Sequence, residues 1–178
     1  MISRWLIRCC VAALVAGGCG LRHAGADQIG DQPDLVLVFD VSGGQRPRAD
    51  GPLLTLSAAG LASVRAPRPG GARTAVQLSP AEATALLDIV VSRYGALEID
   101  ADAIDQALSQ AGEPRLRIAD ASTTSLTLAI DDRHHSVSVN ALPQQAGRHP
   151  GIEPLQRFAE LARYLQSKAN ALATPTAD

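Results

Sequence analysis

Apolar and polar residues alternate along several short stretches after residue 34, and this spacing is typical of strands with one buried face. The first stretch places Leu37 and Phe39 on one side, and Ser42-Gly43-Gly44 ends it. Three shorter alternating stretches follow at residues 53–56, 61–65 and 74–78. We therefore predict four strands connected as a meander, with a tight hairpin turn at Ala59-Gly60.

A second hairpin is predicted in the C-terminal half of the chain. Residues 125–130 and 135–139 alternate in the same way, with Leu126 and Leu128 facing inward. The polar residues Asp131-Asp132-Arg133 supply the turn between these two strands.

Three segments have apolar residues at helical spacing. The clearest begins at Ser79-Pro80-Ala81-Glu82, where Ser79 and Glu82 form a capping box that satisfies free backbone N–H groups. It predicts a helix over residues 80–94, ended by Gly95. A shorter helix over residues 100–111 is capped by Asp100, and a last helix covers residues 152–169.

These elements together predict an α+β fold. We expect an antiparallel sheet built from a meander and hairpins, with the two main helices packed on one face. Residues 34–170 are long enough to form a single domain with its own core. We predict a loop over residues 142–151 and a disordered tail over residues 171–178.

The N-terminus has the pattern of a bacterial signal peptide, predicted over residues 1–18. Arg4 and Arg8 provide the basic region, and an apolar run follows at residues 9–18. Ten apolar residues are too few for a membrane-spanning helix, which needs about 20. The chain is therefore predicted to be exported to the cell envelope.

Two processing sites compete. Ala16-Gly17-Gly18-Cys19 is similar to the lipobox of bacterial lipoproteins, in which the cysteine is lipidated and becomes the new N-terminus. Cys9 and Cys10 lie inside the signal peptide, so Cys19 has no disulfide partner, and lipidation accounts for it. Residues 19–33 are then a polar tether to a membrane anchor. The alternative is an A-x-A cleavage site that ends at Ala26, which leaves a secreted or periplasmic protein.

The charge of the exported part argues against one class of partner. Three of the 16 basic residues and none of the 18 acidic residues lie before residue 27, which leaves 13 basic residues against 18 acidic ones. Nucleic-acid binding requires an excess of Lys and Arg, so this class is excluded.

No motif predicts a metal site, a cofactor, a small-molecule substrate or a catalytic centre. Asp100, Asp102 and Asp105 resemble the start of an EF-hand, but Ile104, Asp105 and Ala111 stand where that loop needs an oxygen ligand, Gly and Glu. Three of the four histidines lie in the predicted domain: His134 and His135, which alternate across a predicted strand, and His149 in the predicted loop. Asp120 has no sequence-based partner. We predict that the protein is not an enzyme.

The order of elements and several short motifs resemble a broad group of small bacterial domains that includes emfourin, a protein inhibitor of thermolysin-like metalloproteases. The resemblance covers most of the exported chain and is carried by Gly43-Gly44, residues 78–82, Asp120-Ala121, residues 135–137 and Pro154-Leu155. Two features depart from the family: Gln45 stands where an aromatic residue is usual, and residues 67–71 and 99–117 are additional. The resemblance implies the fold and, as a hypothesis, inhibition.

The functional expectation is an exported, lipid-anchored binding or accessory module without enzymatic activity. The alternative is a protein inhibitor of an extracellular metalloprotease that uses the loops at residues 45–51 and 67–71. In either case the predicted binding residues lie after the first strand; they are Gly43, Gly44, Gln45, Arg46 and Arg48.

Overall fold

The computed structural model describes residues 35–43, 51–66, 71–111 and 120–174. These residues form an α+β fold around a six-stranded antiparallel sheet, as predicted. The strands are β1 (Leu35–Gly43), β2 (Leu54–Ser57), β3 (Leu61–Val64), β4 (Thr74–Gln77), β5 (Ser122–Ile130) and β6 (Arg133–Asn140).

The strand order is β4-β3-β2-β1-β5-β6, so β1 lies in the middle of the sheet. The first four strands are a meander, and β5 and β6 form the predicted second hairpin, in which Ile130 pairs with Arg133. Arg133 therefore belongs to β6, and only Asp131 and Asp132 form the turn. Asp131 has a φ of 53°, a left-handed conformation that Asp adopts more readily than most residues.

Because neighbouring strands are antiparallel, the connections between them lie at two opposite ends of the sheet. Gly43 ends β1 beside Ser122, which begins β5, and Val64 pairs with Thr74 at the same end. We call this the loop end. The opposite end carries Leu35, where the chain enters the sheet, and the β2–β3 turn. In that turn the Gly60 N–H donates to the Ser57 carbonyl oxygen across 3.0 Å, which confirms the predicted hairpin.

The helix predicted at residue 80 begins there for the expected reason. Its first part, α1 (Pro80–Asp88), has the complete capping box: the Ser79 hydroxyl accepts from the Glu82 N–H, and the Glu82 carboxylate accepts from the Ser79 N–H. A π-helical turn, Ile89–Arg93, continues α1, and the Tyr94 N–H donates to the Ile89 carbonyl oxygen. Gly95 ends the segment in the left-handed conformation, as predicted.

A short 3₁₀ turn, Ala96–Glu98, leads into α2 (Ala101–Gln110). The Asp100 carboxylate accepts a hydrogen bond from the Asp102 N–H across 2.9 Å. Asp100 is thus the N-cap of a helix, which is the role predicted for it in place of an EF-hand ligand.

The prediction of a loop over residues 142–151 is wrong, because Leu142–Arg148 forms a helix, α3. Ala141 precedes it with a φ of 52°, and the buried Gln145 side chain donates to the Asn140 carbonyl oxygen across 2.6 Å. This side-chain bond joins α3 to the end of β6. Two helical turns are too short to show a hydrophobic period, which is why the sequence pattern did not reveal them.

The last helix, α4 (Glu153–Ala173), runs past the predicted end at residue 169 and into the segment predicted as a tail. Residues 175–178 lie outside the described residues. One face of α4 is buried in the core, including Leu155, Phe158 and Leu165.

The core lies between the helices and one face of the sheet. The inward residues of the strands are almost fully buried and pack with apolar residues from all four helices; the largest strand contributions are Leu37, Phe39, Leu54, Leu56, Leu126 and Leu128. Alternate strand residues, including Asp40 and Ser63, face the other side of the sheet. The fold therefore has one helix-covered face and one outer face.

Candidate functional site

The two loops predicted as contact segments begin and end at the same end of the sheet. Residues 44–50 connect Gly43 to Gly51, and residues 67–70 connect Ala66 to Gly71; both segments lie outside the described residues. The residues on either side of them are described, and they form a hydrogen-bonded cluster on the outer face. We call these bonded residues the loop base; they are Asp40, Val41, Gly51, Pro52, Leu53, Ser63, Arg65 and Arg73.

Arg65 connects the beginning of the second loop to both sides of the first. Its guanidinium donates to the Gly51 carbonyl oxygen across 3.0 Å and to the Val41 carbonyl oxygen across 3.0 Å. It also donates to Asp40 Oδ1 across 2.9 Å, which makes an ion pair with both side chains largely shielded from solvent. Three acceptors thus hold one planar guanidinium, and its fixed fork of N–H donors distinguishes Arg from the compact ammonium of Lys.

Arg73 makes the equivalent connection from the end of the second loop. Its guanidinium donates to the Pro52 carbonyl oxygen across 2.7 Å, to Ser63 Oγ across 3.0 Å and to the Ser63 carbonyl oxygen across 3.0 Å. Burial, and then the neighbouring charge of Arg65, lowers the pKa of Arg73, while Asp40 opposes the shift. Arginine nevertheless stays protonated in proteins, so both guanidinium groups are cations at neutral pH.

Asp40 completes the base from the central strand. Its Oδ1 accepts from the Leu53 N–H across 3.2 Å as well as from Arg65. The backbone of Leu53, just before β2, is thereby bonded to β1, the strand that leads into the first loop. The residues on both sides of the two loops are consequently joined in one hydrogen-bonded base.

Among the predicted binding residues, Gly43 is described and the others are not. Gly43 ends β1 with a φ of 85°, a conformation that favours glycine, and a Cβ at this position would lie 3.7 Å from the Ala121 carbonyl oxygen. This places Gly43 at the loop end. Gly44, Gln45, Arg46, Arg48 and the predicted lipidation residue Cys19 lie outside the described residues.

The polar residues considered for catalysis or metal binding are distributed over different elements. His134 and His135 point to opposite faces of β6, and a His135 ring nitrogen is 3.0 Å from the Ile99 carbonyl oxygen. His149 follows α3, and its carbonyl oxygen accepts from Gln156. Across the described ranges, no three His, Cys, Asp or Glu side chains are grouped as a metal site would require.

In the part of the chain that the structure describes, no helix combines the length and the apolar character needed to span a bilayer.

No known protein-family model matches this chain, and no curated protein matches its sequence. The resemblance to emfourins therefore remains a prediction.

Sequence reasoning identified the two loops but not the residues that join them. Arg65 and Arg73 stand at strand ends, where an arginine is ordinarily a solvated side chain. The available signal was their position: each lies next to a Pro- and Gly-containing loop, and Asp40 interrupts an otherwise apolar strand. A carboxylate in a central strand needs a partner, and that requirement points to a nearby cation.

Proposed function

We propose that this protein is an envelope-anchored binding module without enzymatic activity, and that the loop end is its contact surface. The observation that carries the proposal is the shared loop base, in which Arg65 and Arg73 join the flanks of two separate loops. Loops fixed at their base lose less conformational entropy when a partner binds, so the same contacts give a higher affinity.

The topology supports this orientation. A chain anchored through Cys19 enters the sheet at Leu35, and the nine residues of β1 carry it to the loop end. At about 3.3 Å per residue, β1 separates the two ends by roughly 26 Å. An anchor at Cys19 would therefore join the fold at the end of the sheet opposite to the loop end, which is compatible with a loop end that faces a partner.

The anchor is tested by replacing Cys19 with Ser in the natural host. We expect the variant to move from the membrane fraction to the soluble fraction. Cys10→Ser is the matched control, because it removes another cysteine outside the lipobox, and it should stay with the membrane. Unchanged membrane association of Cys19→Ser contradicts lipidation at this residue. An N-terminus after Ala26, measured by mass spectrometry, supports cleavage by ordinary signal peptidase instead.

The second candidate is a protein inhibitor of an extracellular metalloprotease. The same loop base favours it, because a protease inhibitor must hold its contact loops in one conformation that resists cleavage.

The inhibitor function is tested with the purified Cys19→Ser chain and a thermolysin-like protease. We expect inhibition at micromolar concentration, and weaker inhibition by Arg65→Gln, which loosens the loop base. Arg133→Gln changes the same charge at the opposite end of the sheet and should inhibit like the parent chain. No inhibition by the parent chain at micromolar concentration removes this function and leaves the binding module.

A further inference from the structure

A pocket of about 320 Å³ lies between α3, α4 and the beginning of β5, on the helix-covered face. Its walls are mainly aliphatic and come from Leu142, Pro143, Ala146, Ala159 and Ala162. This volume is at the lower end of the range of small-molecule sites, which are typically apolar with a few polar groups. The pocket takes no residue from the loop base.

Thr124 is a polar residue that lines this pocket. On β5 it faces the same side of the sheet as Leu126 and Leu128, and only 3% of it is exposed. No hydrogen bond joins its hydroxyl to another residue in the described part of the chain. The hydroxyl is not among the fully buried polar atoms that lack a partner, so it opens onto the pocket, where it can bond to water or to a ligand with a hydrogen-bonding group.

The other polar residues of the lining are the cation Arg163 and the amides Gln156 and Gln166. Arg163 donates its Nε–H to the Ala159 carbonyl oxygen across 3.3 Å, and no described carboxylate lies within ion-pair distance of its guanidinium. Gln156 is fixed by bonds from its Nε2 to the Ala146 and His149 carbonyl oxygens, across 2.7 and 3.0 Å. The described lining contains no Asp or Glu. The pocket therefore favours an anionic head group at its mouth.

We propose that this pocket binds an aliphatic carboxylate that carries a second hydrogen-bonding group, such as a hydroxy fatty acid. The carboxylate is held by Arg163, the aliphatic body lies against the alanine side chains, and the distal hydroxyl pairs with Thr124. The described lining contains no aromatic ring, so the pocket suits a ligand with either a branched or a straight aliphatic chain. The proposal is independent of the loop end, so each fails without affecting the other.

The test is a binding series measured by calorimetry on the purified Cys19→Ser chain without detergent. The probes are ω-hydroxy acids from 6-hydroxyhexanoate to 10-hydroxydecanoate, each compared with the fatty acid that lacks the hydroxyl and the diol that lacks the carboxylate. We expect the best hydroxy acid to bind about threefold to tenfold more tightly than either comparison compound.

The variants assign each preference to one residue. Thr124→Val keeps the shape of the side chain and should abolish the preference for the hydroxyl while retaining that for the carboxylate. Arg163→Gln should do the reverse. Lys168→Gln, on the same helix but outside the lining, should leave both preferences unchanged. Ala159→Leu fills the pocket and should abolish binding.

Three results overturn the proposal. The first is that no probe binds at millimolar concentration, which is the result expected if another segment of the chain fills the pocket. The second is equal binding of the hydroxy acid and the diol. The third is binding that survives Ala159→Leu in a variant shown by circular dichroism to be folded.

Discussion

The guanidinium of Arg65 donates a hydrogen bond to the carbonyl oxygen of Gly51 across 3.0 Å. This bond joins the strand that leads into one loop to the last residue of another loop, 14 positions earlier in the chain. The same guanidinium pairs with Asp40, so the contact is fixed from the central strand. The loop base therefore depends on a side chain that neither loop contains.

Arg65→Gln should destabilise the fold, since it leaves the Asp40 carboxylate without its cation and two carbonyl oxygens without a donor. We expect a loss of about 2 kcal/mol in the free energy of unfolding, measured by urea denaturation. Arg133→Gln, at an exposed position on β6, should change it by less than about 0.5 kcal/mol. Equal effects of the two substitutions contradict the structural role of Arg65.

Gly60→Ala tests the β2–β3 turn. Gly60 has a φ of 80°, and a Cβ there would lie 3.1 Å from the Leu78 carbonyl oxygen. We expect a loss of about 1–2 kcal/mol, seen as a lower Tm. Gly147→Ala is the control: its Cβ meets no atom within 4 Å, and alanine favours the helix, so this variant should be at least as stable as the parent. A Gly60→Ala variant with unchanged Tm is inconsistent with the turn.

Gln145→Leu tests α3, the helix that the sequence pattern missed. The substitution removes the donor to the Asn140 carbonyl oxygen at a buried position, and we expect a loss of about 1–3 kcal/mol in the free energy of unfolding. The neighbouring Gln144 is exposed, so Gln144→Leu should have little effect on stability. Similar losses for both variants would indicate that α3 is not attached through Gln145.

Glu82 makes the capping box sensitive to acid. The hydrogen bonds from Ser79 lower the pKa of the Glu82 carboxyl in the folded state. Its contribution to stability is therefore fully present above the unfolded pKa and is lost as the pH falls through the lower folded pKa. Glu82→Gln retains a capping side chain without the charge, so the stability difference between parent and variant should shrink below the pKa of an unfolded glutamate. A difference that is independent of pH contradicts the role of the carboxylate.

Local signals predicted those elements whose cause is local. The capping box at Ser79 and Glu82, the stop at Gly95 and the N-cap at Asp100 act over a few residues, and the structure has all of them. The antiparallel sheet followed from alternation and short turns in the same way.

The remaining features depend on contacts between residues distant in sequence. The loop base joins Asp40 to Arg65, 25 positions apart, and Arg73 to the Pro52 carbonyl oxygen, 21 positions apart. The pocket brings Thr124 of β5 together with α4. The helix between them in sequence, α3, is too short to show a hydrophobic period. The sequence shows these residues but not their proximity, because strand register sets it.

Site-specific crosslinking in the host tests the central claim, that the loop end is the contact surface, most directly. A photoactivatable residue is placed at Ser42 and, separately, at Ala72, both exposed at the loop end; the matched position is Ala59, exposed in the turn at the opposite end. We predict that the same protein is crosslinked from Ser42 and Ala72 and not from Ala59. Crosslinking of one partner from Ala59 alone, or equally from all three positions, contradicts the account.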